Sequence, residues 1–196
     1  MGSARPLLSA IDPNLGISRW PWTTWDLERM VSAGILNESE HVELIGGDII
    51  AMAAKGTRHE FVRNRLILYW ARRLPQNIDF AEETPLRLGD HDEPEPDIIL
   101  FPADLFVFNV RGDTVLLVVE IADSSLSYDL RIKAPLYAAF GVREYWVINA
   151  RTLVATVHRI PGPAGYTEIR EVASADLLEP PAAPQLAVRL ADLRLP

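Results

Sequence analysis

Two acidic residues stand where a carboxylate is hard to keep. Glu120 ends the apolar run Val115–Val119, whose short, β-branched character reads as a buried central strand. A carboxylate there loses its hydration unless a cation, a set of donors or a metal ion replaces the water. Asp97 opens a second strand of the same kind, Asp97–Phe101, directly after Glu93-Pro94-Glu95-Pro96. If the two strands are neighbours, both carboxylates point toward one spot. Two hard oxygen donors at a sheet edge, with water completing the sphere, is how magnesium is commonly held. The plainer reading is that each acid caps a strand end or pairs with an arginine. For Glu120 the apolar setting favours metal or catalytic use, because a neutral side chain would suit that position better.

Other residues add less. Lys133 follows Asp129 by four positions, which suits a helical ion pair. The sharper alternative makes it a cation beside a metal site, steadying phosphate charge or orienting water. Glu43 alternates with Val42 and Leu44 and so faces away from them, toward solvent in the simplest case. His59, in the first turn of a long helix, reads as a capping or packing residue. His41, His91 and His158 are scattered without metal-ligand spacing. The acidic run Asp90, Asp92, Glu93 and Glu95 reads as a solvated loop. No phosphate-cradling glycine loop, Gly-x-Ser-x-Gly elbow or His-Glu-x-x-His is present. Asp123-Ser124-Ser125 suits the turn and cap of the next helix.

These side chains need a scaffold, and the patterns describe one. Thr24 opens a helix with Leu27, Met30 and Val31 on its apolar face, ended by Gly34. Val42–Met52 reads as two short strands around Gly46-Gly47. Thr57 and Glu60 have capping-box spacing, and Val62, Leu66, Tyr69, Trp70 and Leu74 give one face of a long helix ending near Pro75. Strands are expected over 78–82, 97–101, 115–122 and 144–148, and a hairpin over 153–160 and 166–172. Leu130–Phe140 reads as helical with Gly141 as its stop; Pro135 lies inside it, so the helix begins late or bends there. Residues 1–20 read as an N-terminal arm, and 21–196 as a single α/β domain, a central mixed β-sheet flanked by helices.

Composition bounds the rest. The 196 residues are 48% hydrophobic and 23% charged, the balance of a folded globular protein. The absence of cysteine excludes disulfides and thiolate metal sites, and points to a cytoplasmic setting. No apolar run approaches the roughly 20 residues of a membrane helix, so no membrane association is expected. The net charge of −8 opposes nucleic-acid binding. A divalent ion would offset part of that charge, and Arg63, Arg65, Arg72 and Arg73 form a local basic cluster.

At these residues the chain resembles a known family, the bacterial Uma-type restriction endonucleases of the PD-(D/E)xK, or restriction-endonuclease-like, superfamily. The resemblance runs from about Trp25 to Leu193. It rests on the order and spacing of Val42–Ile49, Arg58-His59, Glu93–Ile98, Val118–Ser125, Tyr128-Asp129, Lys133, Pro135–Ala138 and Gly141–Trp146. It implies a restriction-endonuclease-like fold and magnesium- or manganese-dependent cleavage of phosphodiesters. Asp97 and Glu120 match the two acidic metal ligands, with the Ile121 carbonyl as a further ligand. The superfamily lysine normally stands two residues after that glutamate, where this chain has Ala122. The family pattern makes Lys133, on the following helix, its substitute and the transition-state stabiliser. Glu43, His59, Tyr128 and Asp129 match supporting positions, and Gly46 departs from the family's usual aspartate.

The partner implied is nucleic acid, DNA before RNA, cut by a homodimer. Two other readings stay open. One is a domain of the same fold that no longer cuts, a dimeric nucleic-acid-binding or regulatory module, favoured by the acidic charge and the displaced lysine. The other is a protein-binding scaffold using Trp20, Trp22 and Trp25 as an exposed patch. The expected fate of those tryptophans is packing onto the domain's own core.

Overall fold

The computed structural model describes residues 19–37 and 40–193. It divides into two compact units, one of residues 53–84 and 96–196 and the other of residues 1–52 and 85–95. The first holds a six-stranded sheet whose strands lie side by side in chain order. Its strands are β3 (Ile78–Glu82), β4 (Ile98–Pro102), β5 (Leu117–Ala122), β6 (Glu144–Asn149), β7 (Ala155–Gly162) and β8 (Gly165–Val172). Only β5 and β6 run parallel; the other neighbours are antiparallel. A parallel pair cannot be joined by a tight turn. The chain between them accordingly folds into helical segments, Leu126–Tyr128 (α3), a π turn over Asp129–Lys133, and Ala134–Ala139 (α4).

Strand alternation sends side chains to two faces. Ile98, Leu100, Leu117, Val119, Ile121, Trp146 and Ile148 are buried with Val62, Leu66 and Trp70 of α2 (Thr57–Ala71). The C-terminal stretch closes this core: Leu186, Val188, Leu190 and Leu193 are buried in it, and Trp70 Nε1 donates to the Leu186 carbonyl at 2.8 Å. On the other face α4 sets Tyr137 against Tyr145 of β6, ring centroids 4.8 Å apart. Glu120 alternates with Val119 and Ile121, so it projects to this second face.

The Pro135 conflict has a local solution. Proline lacks the N–H an α-helix needs and crowds the preceding turn. Here the segment widens to a π turn just before it, with the Ala134 N–H donating to the Asp129 carbonyl, and Pro135 opens α4. The helical stretch starts earlier than expected and includes Lys133 in the widened turn. At α2 the expected capping box does not form. Gly56 is the N-cap and offers no side-chain acceptor, so Thr57 lies inside the helix and Glu60 is left for other partners.

The other unit contains α1 (Thr24–Ser32) and the antiparallel hairpin of β1 (Val42–Ile45) and β2 (Asp48–Ala51). A capping box does form at α1, where the Asp26 N–H donates to Thr23 Oγ1 and Asp26 accepts from the Thr23 N–H. Gly46 and Gly47 both adopt positive φ in the hairpin turn, which a side chain would resist. Asp92 was expected in a solvated loop; it is fully buried and accepts the Gly46 N–H at 2.8 Å. Trp20, Trp22 and Trp25 are all exposed rather than packed inward, and Arg29 lies over the Trp25 ring. Of the N-terminal arm over residues 1–20, residues 1–18 lie outside the described residues. No described helix is long and apolar enough to cross a membrane.

Candidate functional site

The β4–β5 register sets Ile98 opposite Val119. Continued by one residue, it places Asp97 opposite Glu120, and directly facing positions bring Cβ atoms to about 5 Å. The ladder stops there for a chemical reason. Pro96, next along β4, has no N–H to give. The Ile121 N–H, which the ladder would otherwise engage, donates instead to Asp97 Oδ2 at 2.7 Å. Asp97 is thereby fixed at the strand end, buried like Glu120.

Each carboxylate holds a different set of partners. Glu120 Oε1 accepts from Lys133 Nζ at 2.8 Å and from the Tyr137 hydroxyl at 3.2 Å. The widened turn and α4 thus deliver an ammonium and a phenol to one carboxylate oxygen. Lys133 Nζ also lies 5.7 Å from the centre of the Tyr128 ring. Asp129, the expected helical partner of Lys133, accepts from Ser125 Oγ at 2.6 Å, and its carbonyl accepts from the Tyr145 hydroxyl. Burial, with Glu120 and Asp129 nearby, pushes the Tyr145 phenol well above its ordinary value, so it stays a neutral donor.

Asp97 belongs to a closed ring of six ionisable side chains. His59 Nε2 lies 2.9 Å from Asp97 Oδ2, and its Nδ1 lies 3.3 Å from Glu60 Oε1. Arg63 donates to Glu60 at 2.6 Å and also to Glu83. Lys55 Nζ donates to Glu83 Oε1 at 2.5 Å and lies 3.5 Å from Asp97 Oδ1, closing the ring. Both nitrogens of His59 face carboxylates. Burial would raise the Asp97 pKa. The hydrogen bond and charge of His59, the Ile121 N–H and Lys55 outweigh it and hold the carboxyl below its ordinary 3.8.

Several expected residues take other places. Glu43 was expected on the solvent side of β1; it is buried, and its Oε1 accepts the Glu95 N–H at 2.9 Å. It lies in the unit of residues 1–52 and 85–95, as a partner of that unit's own backbone. The basic cluster is also different from its linear appearance. Arg63 is buried among acids, while Arg65 and Arg73 cover Phe61 and Tyr69. The sequence reading missed Lys55, Glu83 and the role of Tyr137. Lys55 and Glu83 lie outside any regular element and far apart in the chain, so no periodicity marks them. Tyr137 stands among the apolar residues of α4, where its hydroxyl is invisible to pattern.

The donors suit one class of metal. Asp97 and Glu120 offer two hard, anionic oxygen sources with no sulfur nearby, and among the described residues no group of three His, Cys, Asp or Glu could hold an ion. That set fits a cation that keeps most of its water, as magnesium does, and does not fit an all-protein cage.

Comparison with known proteins gives three findings. Residues 26–192 match the family described as "Uma2: Putative restriction endonuclease". No curated protein matches the chain. Among solved structures, the chain is similar to one described as "a putative nuclease belonging to DUF820 from Anabaena variabilis ATCC 29413", with TM-score 0.67 and 19% identity over 83% of this chain and 94% of that one.

Proposed function

The chain belongs to the Uma2 family, and from that premise we propose that it is a nuclease hydrolysing phosphodiesters with magnesium or manganese. The match spans both compact units, which supports reading residues 21–196 as one domain. The observation that carries the proposal is Asp97 bound to the N–H of Ile121, the residue after Glu120, with Lys133 on Glu120.

Asp97, Glu120 and the Ile121 carbonyl would hold the ion. Bound there, it supplies charge neutralisation and the activation of water near neutral pH. The remaining work belongs to the chain. Lys133 places a full positive charge where the phosphate gains negative charge, or orients the attacking water. Tyr137 keeps the Glu120 carboxylate in one rotamer. His59 and the Ile121 N–H do the same for Asp97, so both acids are aimed before substrate arrives. Tyr128 and Asp129 frame the turn that carries Lys133. DNA is the substrate we favour, cut by a homodimer, since a duplex presents two strands and each copy offers one site.

The test is a plasmid nicking and linearisation assay in magnesium or manganese, with wild type, Glu120→Ala and Lys133→Ala purified in parallel and checked for folding by circular dichroism. Wild type should cut and both variants should lose at least 100-fold, on the order expected when an electrostatic stabiliser is removed. Equal activity in all three would mark a contaminant and end the reading.

A second reading is favoured by the net charge of −8 and by the chain's own cations already on both acids. In it the same fold binds nucleic acid without cutting. Calorimetric titration with magnesium and manganese separates the two: heat of binding that disappears in Asp97→Asn supports the nuclease, and its absence in wild type supports the non-cutting module.

A further inference from the structure

We propose that Lys55 is a second substrate-binding cation of this site, placed by Glu83 to contact a phosphate of the nucleic-acid backbone. The inference rests on the nuclease reading above and adds a residue to it. Each proposed ligand carboxylate has a lysine: Lys133 on Glu120 and Lys55 on Asp97. The two lysines are held differently. The Lys133 side chain is 4% exposed and sits at hydrogen-bond distance from Glu120, whereas that of Lys55 is 17% exposed. Its 3.5 Å separation from Asp97 Oδ1 is longer than a hydrogen bond. Its short contact is to Glu83. Lys55 is thus anchored by one acid and only neighbours the other, so it can turn toward a phosphate oxygen without giving up its anchor.

Glu83 has an unusual backbone for such an anchor. It adopts φ 48 although it is not glycine, a conformation that side chains resist and that persists where surrounding contacts hold it. Those contacts include Arg63 and Lys55 on its carboxylate and an N–H bond to the Asp97 carbonyl at 3.2 Å. The turn after β3 is therefore fastened to Asp97 by backbone and to Lys55 by side chain. An ammonium presented this way acts on phosphate as a mobile point charge, a role lysine fills well.

The merely structural alternative is that Lys55 only ties the turn to α2. Fluorescence anisotropy of a fluorescein-labelled duplex DNA, titrated in calcium over about 20–200 mM salt, separates the two, because a lost phosphate contact lowers the slope of log affinity against log salt by about one. Lys55→Met should bind more weakly with that smaller slope, and Lys55→Arg should restore the wild-type slope. An unchanged slope in Lys55→Met, with binding by wild type intact, overturns the assignment and leaves the nuclease reading standing. Wild type that binds no duplex overturns both. Thermal melting of Lys55→Met alongside shows whether stability changed, which by itself does not alter a salt slope.

Discussion

Lys133 reaches Glu120 from a π turn, its Nζ 2.8 Å from Oε1 with both side chains almost wholly buried. The pair joins the crossover to β5 at the position where a carboxylate would otherwise be stranded among apolar residues. Removing one member leaves an uncompensated buried charge. Glu120→Gln and Lys133→Met should each lose about 3–5 kcal/mol in urea unfolding, and the double variant less than the sum of the two. Additive losses would show that the two groups do not interact.

Tyr137→Phe separates stability from site geometry more gently. It deletes only the hydroxyl on Glu120 and keeps the ring against Tyr145. The expected loss is about 1–2 kcal/mol of stability. If the nuclease reading is right, kcat falls while KM holds, because the carboxylate is less well aimed. Unchanged kinetics would show that Lys133 alone orients Glu120.

Asp97 makes the fold sensitive to acid. Its carboxyl is held below the ordinary 3.8 by His59, Ile121 and Lys55 against the opposing effect of burial. The folded state then binds fewer protons than the unfolded one. The stabilisation is complete above the unfolded value and is lost as pH falls through the folded one. Urea midpoints of wild type should drop steeply below about pH 4. Asp97→Asn, less stable at neutral pH, should show a shallower drop; equal slopes would remove Asp97 from the acid response.

Gly112 supports the far end of α4. A Cβ built there would lie 2.4 Å from the Phe140 carbonyl oxygen and 3.0 Å from Phe140 Cβ. Backbone cannot yield as a flexible side chain can, so Gly112→Ala should destabilise by about 1–3 kcal/mol. A lowered Tm with metal-binding heat retained is the expected result, and an unchanged Tm would mean that the loop shifts freely.

The elements were legible because their signals are local. The apolar runs at β4 and β5, the helical face of α2 and the β7–β8 hairpin each declare themselves within a few turns of chain. Family-linked order and spacing pointed to Asp97, Glu120, Lys133 and His59 as a group. Helix-end chemistry was less legible: Thr57 and Glu60 have the spacing of a capping box, yet Glu60 pairs with Arg63 and His59 because a partly buried ring of charges competes for it. Glu43 and Asp92 show the same limit. Alternation and loop position suggested solvent, but the backbone N–H groups of Glu95 and Gly46 claimed them.

What the sequence determined alone was the sheet-and-helix order and the presence of an acid at the end of a strand too apolar to tolerate it without help. What only the tertiary structure decided was the company each acid keeps. The Ile121 N–H held Asp97 beside Glu120, the widened turn before Pro135 brought Lys133 in, and Glu83 in its strained conformation gathered Lys55. Hydrophobic periodicity is written along one segment and can be read there. Electrostatic pairing depends on distances between segments remote in the chain, and those distances exist only once the sheet has closed its core.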